Sequence, residues 1–203
     1  MLGRAQKQGL VDFQIIDLRT FGEGVHQVVD GKPYGGGPGM LFRADILAKA
    51  VKSIKGKKYT ILTSPVGKQF NQMSARKLLA QKHLLIICGH YEGVDQRFID
   101  KYVDAEISIG DYVLTGGELP ALVITDAVTR LIPGVLKSEQ SSTDESFTEN
   151  LLEHPQYTRP EVFEGMKVPE ILLSGHHGQI DSWKKEQALK KTNELRPDIL
   201  KKN

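Results

Sequence analysis

Three glycine-bearing segments hold the residues from which a binding site could be built. They are Thr63-Ser64-Pro65-Val66-Gly67, Cys88-Gly89-His90-Tyr91-Glu92-Gly93, and the run from Ser108 to Gly117 (SIGDYVLTGG). Each follows a stretch that reads as a β-strand. Ligands of parallel α/β sheets bind outside the carboxyl ends of the strands, so three such loops would line one crevice. Glycine lets backbone N–H and C=O groups come close to a flat ligand such as a purine. Neither G-x-x-x-x-G-K-[ST] nor G-x-G-x-x-G occurs, which argues against an NTPase and an ordinary NAD enzyme. A fourth glycine-rich stretch, Pro33 to Gly39, lies in a long loop over residues 19–40 with little regular structure expected. Loops of that length inside compact domains are usually functional or disordered. Its Tyr34 reads as a packing residue more readily than as a platform for a base. His176 and His177 are adjacent without a third ligand in register, so no metal site is expected there. Cys88 is the single cysteine, which excludes an intrachain disulfide and a zinc site on paired cysteines. Taken alone, Arg130 reads as half of a helix-surface pair with Asp126, and Asp144 and Glu145 as two acids of a solvated linker.

The elements that must position these loops follow from hydrophobic spacing. Val11–Ile16 (VDFQII), Lys58–Thr63 (KYTILT), Leu84–Cys88 (LLIIC) and Glu106–Ile109 read as strands, the third apolar on both faces as in a buried parallel strand. Asp45 is placed to cap a helix that buries Ile46, Leu47, Ala50, Val51 and Ile54. Asn71 is placed to cap a second helix with Met73, Leu78 and Leu79 inside. A short helix is expected over Val94–Lys101, and another from about Glu118 to Leu131 with Pro120 in its first turn, where proline is tolerated. Pro133-Gly134 ends it. Strand and helix alternate through the first two thirds of the chain, which implies an α/β domain whose parallel sheet carries helices on both faces.

The 203 residues suffice for one such domain and a smaller appendage. The formal net charge of +2 excludes a polybasic tail protein but not a local basic face. Residues 1–136 form the expected α/β domain, 137–147 an interdomain linker, and 148–203 a small, mostly helical C-terminal domain. Residues 138–153 hold five acidic residues and no Lys or Arg, which marks the linker as polar. From Lys184 onward seven Lys or Arg face three acids, a modest footprint for phosphate. A helix is expected around Ser182–Thr192, preceded by an apolar patch at Ile171–Leu173. The longest purely apolar run, Leu84 to Cys88, is far below the roughly 20 residues of a membrane helix. The N-terminus carries no apolar signal core, so a cytoplasmic protein without membrane contact is expected.

The same residues carry a family resemblance. PYGGGPGM (Pro33–Met40), CGHYEGVDQR (Cys88–Arg97), SIGDYVLTGGELPA (Ser108–Ala121), RLIPGVL (Arg130–Leu136) and HPQYTRP (His154–Pro160) resemble, in order and over nearly the whole chain, the bacterial tRNA (guanine-N1-)-methyltransferases. That family belongs to the SPOUT class, and the resemblance implies a deep trefoil knot made by the segments around 62–67, 88–93 and 108–120, a feature that general topology rules would not suggest. It implies S-adenosylmethionine bound in the knot by Leu62, Ser64, Pro65, Gly89, Ile109, Gly110, Asp111, Tyr112, Val113, Leu114, Gly116, Gly117 and Pro120, with Glu92 near the cofactor. It further implies tRNA as substrate, gripped by the C-terminal domain, and a homodimer with each active site shared between subunits. Whether Mg2+ assists does not follow from the sequence. Family members begin with a further apolar strand and a Phe-Pro turn. The chain as given opens at Gly3-Arg4, so that strand is expected to be absent from it.

The implied reaction is methylation of N1 of the guanosine 3′-adjacent to the anticodon, position 37. Guanine N1 carries a proton at neutral pH, so a base must remove it, and a carboxylate within hydrogen-bond reach suffices. Negative charge then grows toward O6, where a guanidinium stabilises it. Arg130 matches the family's arginine. The family's aspartate stands directly before Ser-Phe. Here Glu145 holds that register and is the expected base, with Asp144, one place earlier, as the alternative by a one-residue shift. Two other readings remain at this stage: a non-catalytic RNA- or cofactor-binding variant, and a related knotted methyltransferase acting on another RNA.

Overall fold

The computed structural model describes residues 1–136, 146–147 and 150–200. The chain divides into two compact units, Met1–Leu136 and Lys137–Asn203.

The first unit runs α1 (Leu2–Lys7), β1 (Asp30–Gly31), β2 (Leu41–Phe42), α2 (Ala44–Ser53), β3 (Tyr59–Gln69), α3 (Gln72–Leu79), β4 (Leu84–Cys88), α4 (Gln96–Tyr102), β5 (Ala105–Ser108) and α5 (Glu118–Thr129). The sheet is parallel in the order β4-β3-β5. Successive residues of β3 face opposite ways, as the strand period demands. Leu62 enters a core with Phe42, Ile46, Leu47, Val51, Val94 and Phe98. Ile61 enters a second core with Ala75, Leu78, Ile107, Ile124 and Val128. Thus α2 and α4 cover one face and α3 and α5 the other, which is the two-faced arrangement that strand–helix alternation predicted.

Several local expectations are corrected. Val11–Ile16 pairs with no strand among the described residues, and Ile15 is 98% exposed. Strand-like alternation alone supplies no ladder partner. The region 19–40 is more ordered than expected: a 3-10 turn over Leu18–Phe21 is capped by Asp17, and Asp30–Gly31 pairs antiparallel with Leu41–Phe42. Arg43, not Asp45, stands at the cap of α2. Asp45 falls inside the first turn and pairs with the Arg43 guanidinium at 2.8 Å. Asn71 does cap α3, its side chain accepting from Ser74 N at 2.9 Å. Met73, expected inside, is 61% exposed, and Ala75 takes the buried position. Tyr34 is 98% exposed, so it does not pack. The third strand runs past Thr63 to Gln69, and its pairing with β5 shifts register between Thr63 and Lys68. The shift bulges Ser64–Gly67 out of the ladder. Gly67 sits so close to β5 that a Cβ there would fall 2.5 Å from Ile107 N.

The first and last blocks of this unit meet. Arg4 Nη2 donates to the carbonyl of Val135, joining the Gly3-Arg4 segment to RLIPGVL.

The second unit contains β6 (Val162–Phe163), β7 (Met166–Lys167), α6 (Glu170–Leu173), α7 (His177–Leu195) and α8 (Pro197–Leu200). The β6–β7 hairpin was not foreseen. Its turn residues, Glu164 and Gly165, have φ of 49° and 82°, as a two-residue hairpin turn requires. Helix α7 is longer than expected at both ends. Its buried Thr192 donates to Ala188 O at 2.6 Å and accepts from Leu152 N at 2.8 Å. The HPQYTRP block lies against this helix, with the rings of His154 and Tyr157 6.3 and 6.4 Å from that of Trp183. Among the described residues no helix is long and apolar enough to cross a membrane.

Candidate active site

The three glycine segments of the sequence converge in space. At the register break in β3, the Thr63 hydroxyl lies 3.1 Å from the Ile87 carbonyl and 3.3 Å from that of Gly117, and Gly89 N donates to it at 3.4 Å. Gly117 N donates to the Gly89 carbonyl at 2.7 Å. Gly117 is buried and has no room for a side chain. A Cβ there would fall 2.0 Å from Thr63 Oγ1, 2.5 Å from Gly89 N and 2.8 Å from Cys88 Cα. Cys88 is pressed into this crossing, and burial pushes its thiol pKa up, with the charge of Glu118 adding to the effect. Below the crossing, the Ser108 hydroxyl donates to Gly110 O at 2.9 Å and accepts from Gly110 N at 3.2 Å, turning the chain off β5. Residues 111–115 then run exposed before the chain is drawn back at Gly117.

A second junction ties the PYGGGPGM loop to the same region. Glu92 N donates to Met40 O at 3.0 Å, and Phe42 N to Gly93 O at 3.0 Å. A Cβ on Gly39 would fall 2.3 Å from Glu92 Cγ, so the two loops touch. Tyr91 adopts φ 59°, a left-handed conformation uncommon outside glycine, and its ring packs edge-on against Phe42 at 5.3 Å. Such conformations are costly and cluster at functional sites.

Asp95 anchors the downstream side of this junction. Its carboxylate accepts from Arg97 N at 3.0 Å as the cap of α4 and pairs with the Arg97 guanidinium at 2.6 Å. That guanidinium holds the Asp95 carboxyl below the usual carboxylate range. Asp95→Ala is expected to cost about 1 kcal/mol of stability in urea denaturation at pH 7, the usual worth of a side-chain cap. A carboxyl whose folded pKa is depressed stabilises fully above its unfolded value, near 3.9, and loses that contribution as pH falls through the folded value. The difference between wild type and variant should therefore close in acid.

A family model described as tRNA (guanine-1)-methyltransferase TrmD matches residues 1–202. The chain belongs to this family. A tRNA (guanine-N(1)-)-methyltransferase of Dictyoglomus turgidum is 53% identical over 203 residues, covering 100% of this chain and 82% of the relative. That of Carboxydothermus hydrogenoformans is 51% identical over 202 residues, covering 99% and 80%. That of Protochlamydia amoebophila is 49% identical over 201 residues, covering 98% and 90%. The resemblance noted from the sequence motifs is therefore confirmed, and tRNA (guanine-1)-methyltransferases are enzymes.

The site residues expected from that family are spread over several places in the first unit. Gly89, Gly116, Gly117 and Pro120 lie at or beside the crossing, with Gly117 and Pro120 buried. Ser64 and Pro65 occupy the bulge of β3, and Asp111, Tyr112, Val113 and Leu114 the exposed run. Leu62, Ile109 and Gly110 are turned inward. The Leu62 side chain is 3% exposed in the core, so only its backbone is available to a ligand. Glu92 belongs to the second junction, next to Gly39. Arg130 is half-buried at the far end of α5, where its N–H donates to Asp126 O at 3.1 Å. Along the helix axis it is about 20 Å from Gly117. Asp144 and Glu145 lie outside the described residues.

Thr63 stands in the first glycine segment, but the sequence assigned its hydroxyl no role, since it also reads as the last β-branched residue of a strand. His90 was also passed over; its ring comes within 3.2 Å of where a Cβ of Gly116 would stand, and its Nδ1 accepts from Tyr91 N at 3.1 Å.

Membership in a methyltransferase family implies, in general, S-adenosylmethionine as the methyl source, and the residues present fit that molecule. A Cβ on Gly117 would meet Gly89 N and one on Gly89 would fall 2.9 Å from Thr63 O, so the backbone beside this crossing can come close to a flat ligand. Val66 of the bulge and Val113 of the run before α5 are exposed apolar residues. Among the described residues no group of three His, Cys, Asp or Glu could hold a metal ion.

Proposed function

We propose that the chain methylates N1 of the guanosine 3′-adjacent to the tRNA anticodon, position 37. The observation that carries the reading is the crossing of the three glycine loops at Thr63, Gly89 and Gly117, in a chain that matches the family from end to end. The tight passage of Gly117 over Gly89 supports reading these segments as a trefoil knot.

S-adenosylmethionine, when bound, supplies an electrophilic sulfonium methyl. The backbone of 62–65, 89 and 109–117 would hold it, with Glu92 beside it. The carboxylate of Glu145, or of Asp144, takes the proton from guanine N1 and frees its lone pair for attack. The guanidinium of Arg130 stabilises the charge that develops on O6. The C-terminal unit, with the lysines of α7, grips the RNA backbone.

The distance from Gly117 to Arg130 supports a homodimer with shared sites. One chain's cofactor loops and its own arginine stand at opposite ends of α5. A second copy brings its arginine to the first copy's loops. The exposed Leu119, Leu122 and Val123 of α5, with Val113 and Leu114 before it, form an apolar face suited to that contact. Acting on tRNA, this chain would work in the cytoplasm.

The test is methyl transfer from labelled S-adenosylmethionine to an unmodified tRNA with guanosine at position 37, with the label mapped by nuclease digestion. Label at N1 of that guanosine is expected. Cofactor binding without transfer would mark a non-catalytic variant, and label on another RNA or another atom would mark a related knotted enzyme.

A further inference from the structure

We infer that Thr63 is a positioning residue of the cofactor site, its hydroxyl holding two loops in the geometry that receives the ligand. The inference rests on the methyltransferase reading and adds a residue to it. Thr63 is 4% exposed and is the last residue of β3 in register with both neighbours, Cys88 of β4 and Ile107 of β5. Beyond it the β4 ladder ends and the β5 ladder is interrupted by the Ser64–Gly67 bulge until Lys68. The loops that leave β4 and lead into α5 therefore have no sheet to align them at this level.

The hydroxyl takes over that task. It accepts from Gly89 N at 3.4 Å and has one hydrogen, shared between the carbonyls of Ile87 at 3.1 Å and Gly117 at 3.3 Å. With the bond from Gly117 N to Gly89 O at 2.7 Å, it closes a triangle of three segments separated by 26 and 54 residues. Gly117 is also the residue at the start of α5, and no side chain caps that end. The Thr63 contact thus fixes where the helix begins as well as where the loop crosses.

Two variants separate the hydroxyl from the shape. Thr63→Val keeps the branched outline, puts a methyl against two carbonyls and leaves a buried N–H without its acceptor. Thr63→Ser keeps the hydroxyl and loses the methyl. By isothermal titration with S-adenosylmethionine, Thr63→Val is expected to bind about tenfold more weakly, the effect of one buried polar group left unsatisfied. Thr63→Ser should stay within about threefold of wild type. The KM for tRNA should be unchanged in both, whereas general loosening of the fold would move it as well. Equal binding by Thr63→Val and wild type overturns the inference, and so does equal weakening in the two variants.

A measurement on the wild-type chain stands if Thr63→Val does not fold. In hydrogen exchange without cofactor, the Gly89 and Gly117 amides should be protected while those of residues 111–115 exchange fast. Fast exchange at Gly89 and Gly117 overturns the inference. This protection does not depend on what the site binds. A wild-type chain that neither binds the cofactor nor methylates tRNA would therefore sink the methyltransferase reading and leave the exchange result to decide the role of Thr63.

Discussion

Gly117→Ala is expected to abolish measurable S-adenosylmethionine binding and lower kcat/KM by about two to three orders of magnitude, because close-packed surroundings reject added volume. The added methyl would meet Thr63 Oγ1 at 2.0 Å, Gly89 N at 2.5 Å and Cys88 Cα at 2.8 Å. Two of these three atoms are backbone, held by the parallel ladder and by the Gly117–Gly89 bond, and cannot swing aside as a flexible side chain would. The effect is steric: Gly117 has φ −85°, which any residue adopts. The only relief is for the 116–118 segment to lift off the 88–89 segment, and that opens the site. Gly178→Ala is the control. It lies in α7 with nothing within 4 Å of its added Cβ. It should leave cofactor affinity unchanged and raise stability by several tenths of a kcal/mol, since glycine is the poorer helix former. Titration calorimetry and urea denaturation read both. Normal cofactor binding by Gly117→Ala would mean that the crossing is not where the cofactor sits.

Arg130→Ala and Glu145→Gln should each cost about 10²- to 10⁴-fold in kcat with cofactor affinity kept, the usual worth of an oxyanion partner and a general base. Asp144→Asn beside Glu145→Gln identifies the base, because only loss of the true base produces the large drop. The separation of Arg130 from Gly117 adds a sharper expectation. If sites are shared, mixing inactive Gly117→Ala and Arg130→Ala chains lets heterodimers form. Each then holds one intact site, built from the loops of one copy and the arginine of the other. Random reassortment would restore about a quarter of wild-type activity. No recovery, with exchange of subunits verified, would place the whole site in one chain.

How much of this was legible depended on the range of the interaction involved. Helices α2, α3, α4 and α5 and strands β3 to β5 were readable because a one-sided apolar stripe or an apolar run must be buried wherever it lands. Asn71 was readable because a cap bonds three residues away. Asp45 misled for the same reason: a carboxylate near a helix start can cap it or pair with Arg43, and the sequence does not choose. Val11–Ile16 has the alternation of a strand, but a strand exists only with a neighbour. The Val162–Lys167 hairpin has strands of two residues each, too short for any period to show.

The sequence by itself determined the layered α/β class, the family and the three loops, since these follow from local periodicity and from long motifs. Tertiary structure alone decided that Thr63 joins those loops and that Gly117 must lack a side chain. Both depend on atoms brought together from positions 26 to 54 residues apart. No local propensity encodes such a meeting, because the fold creates it only when both cores have closed on the sheet.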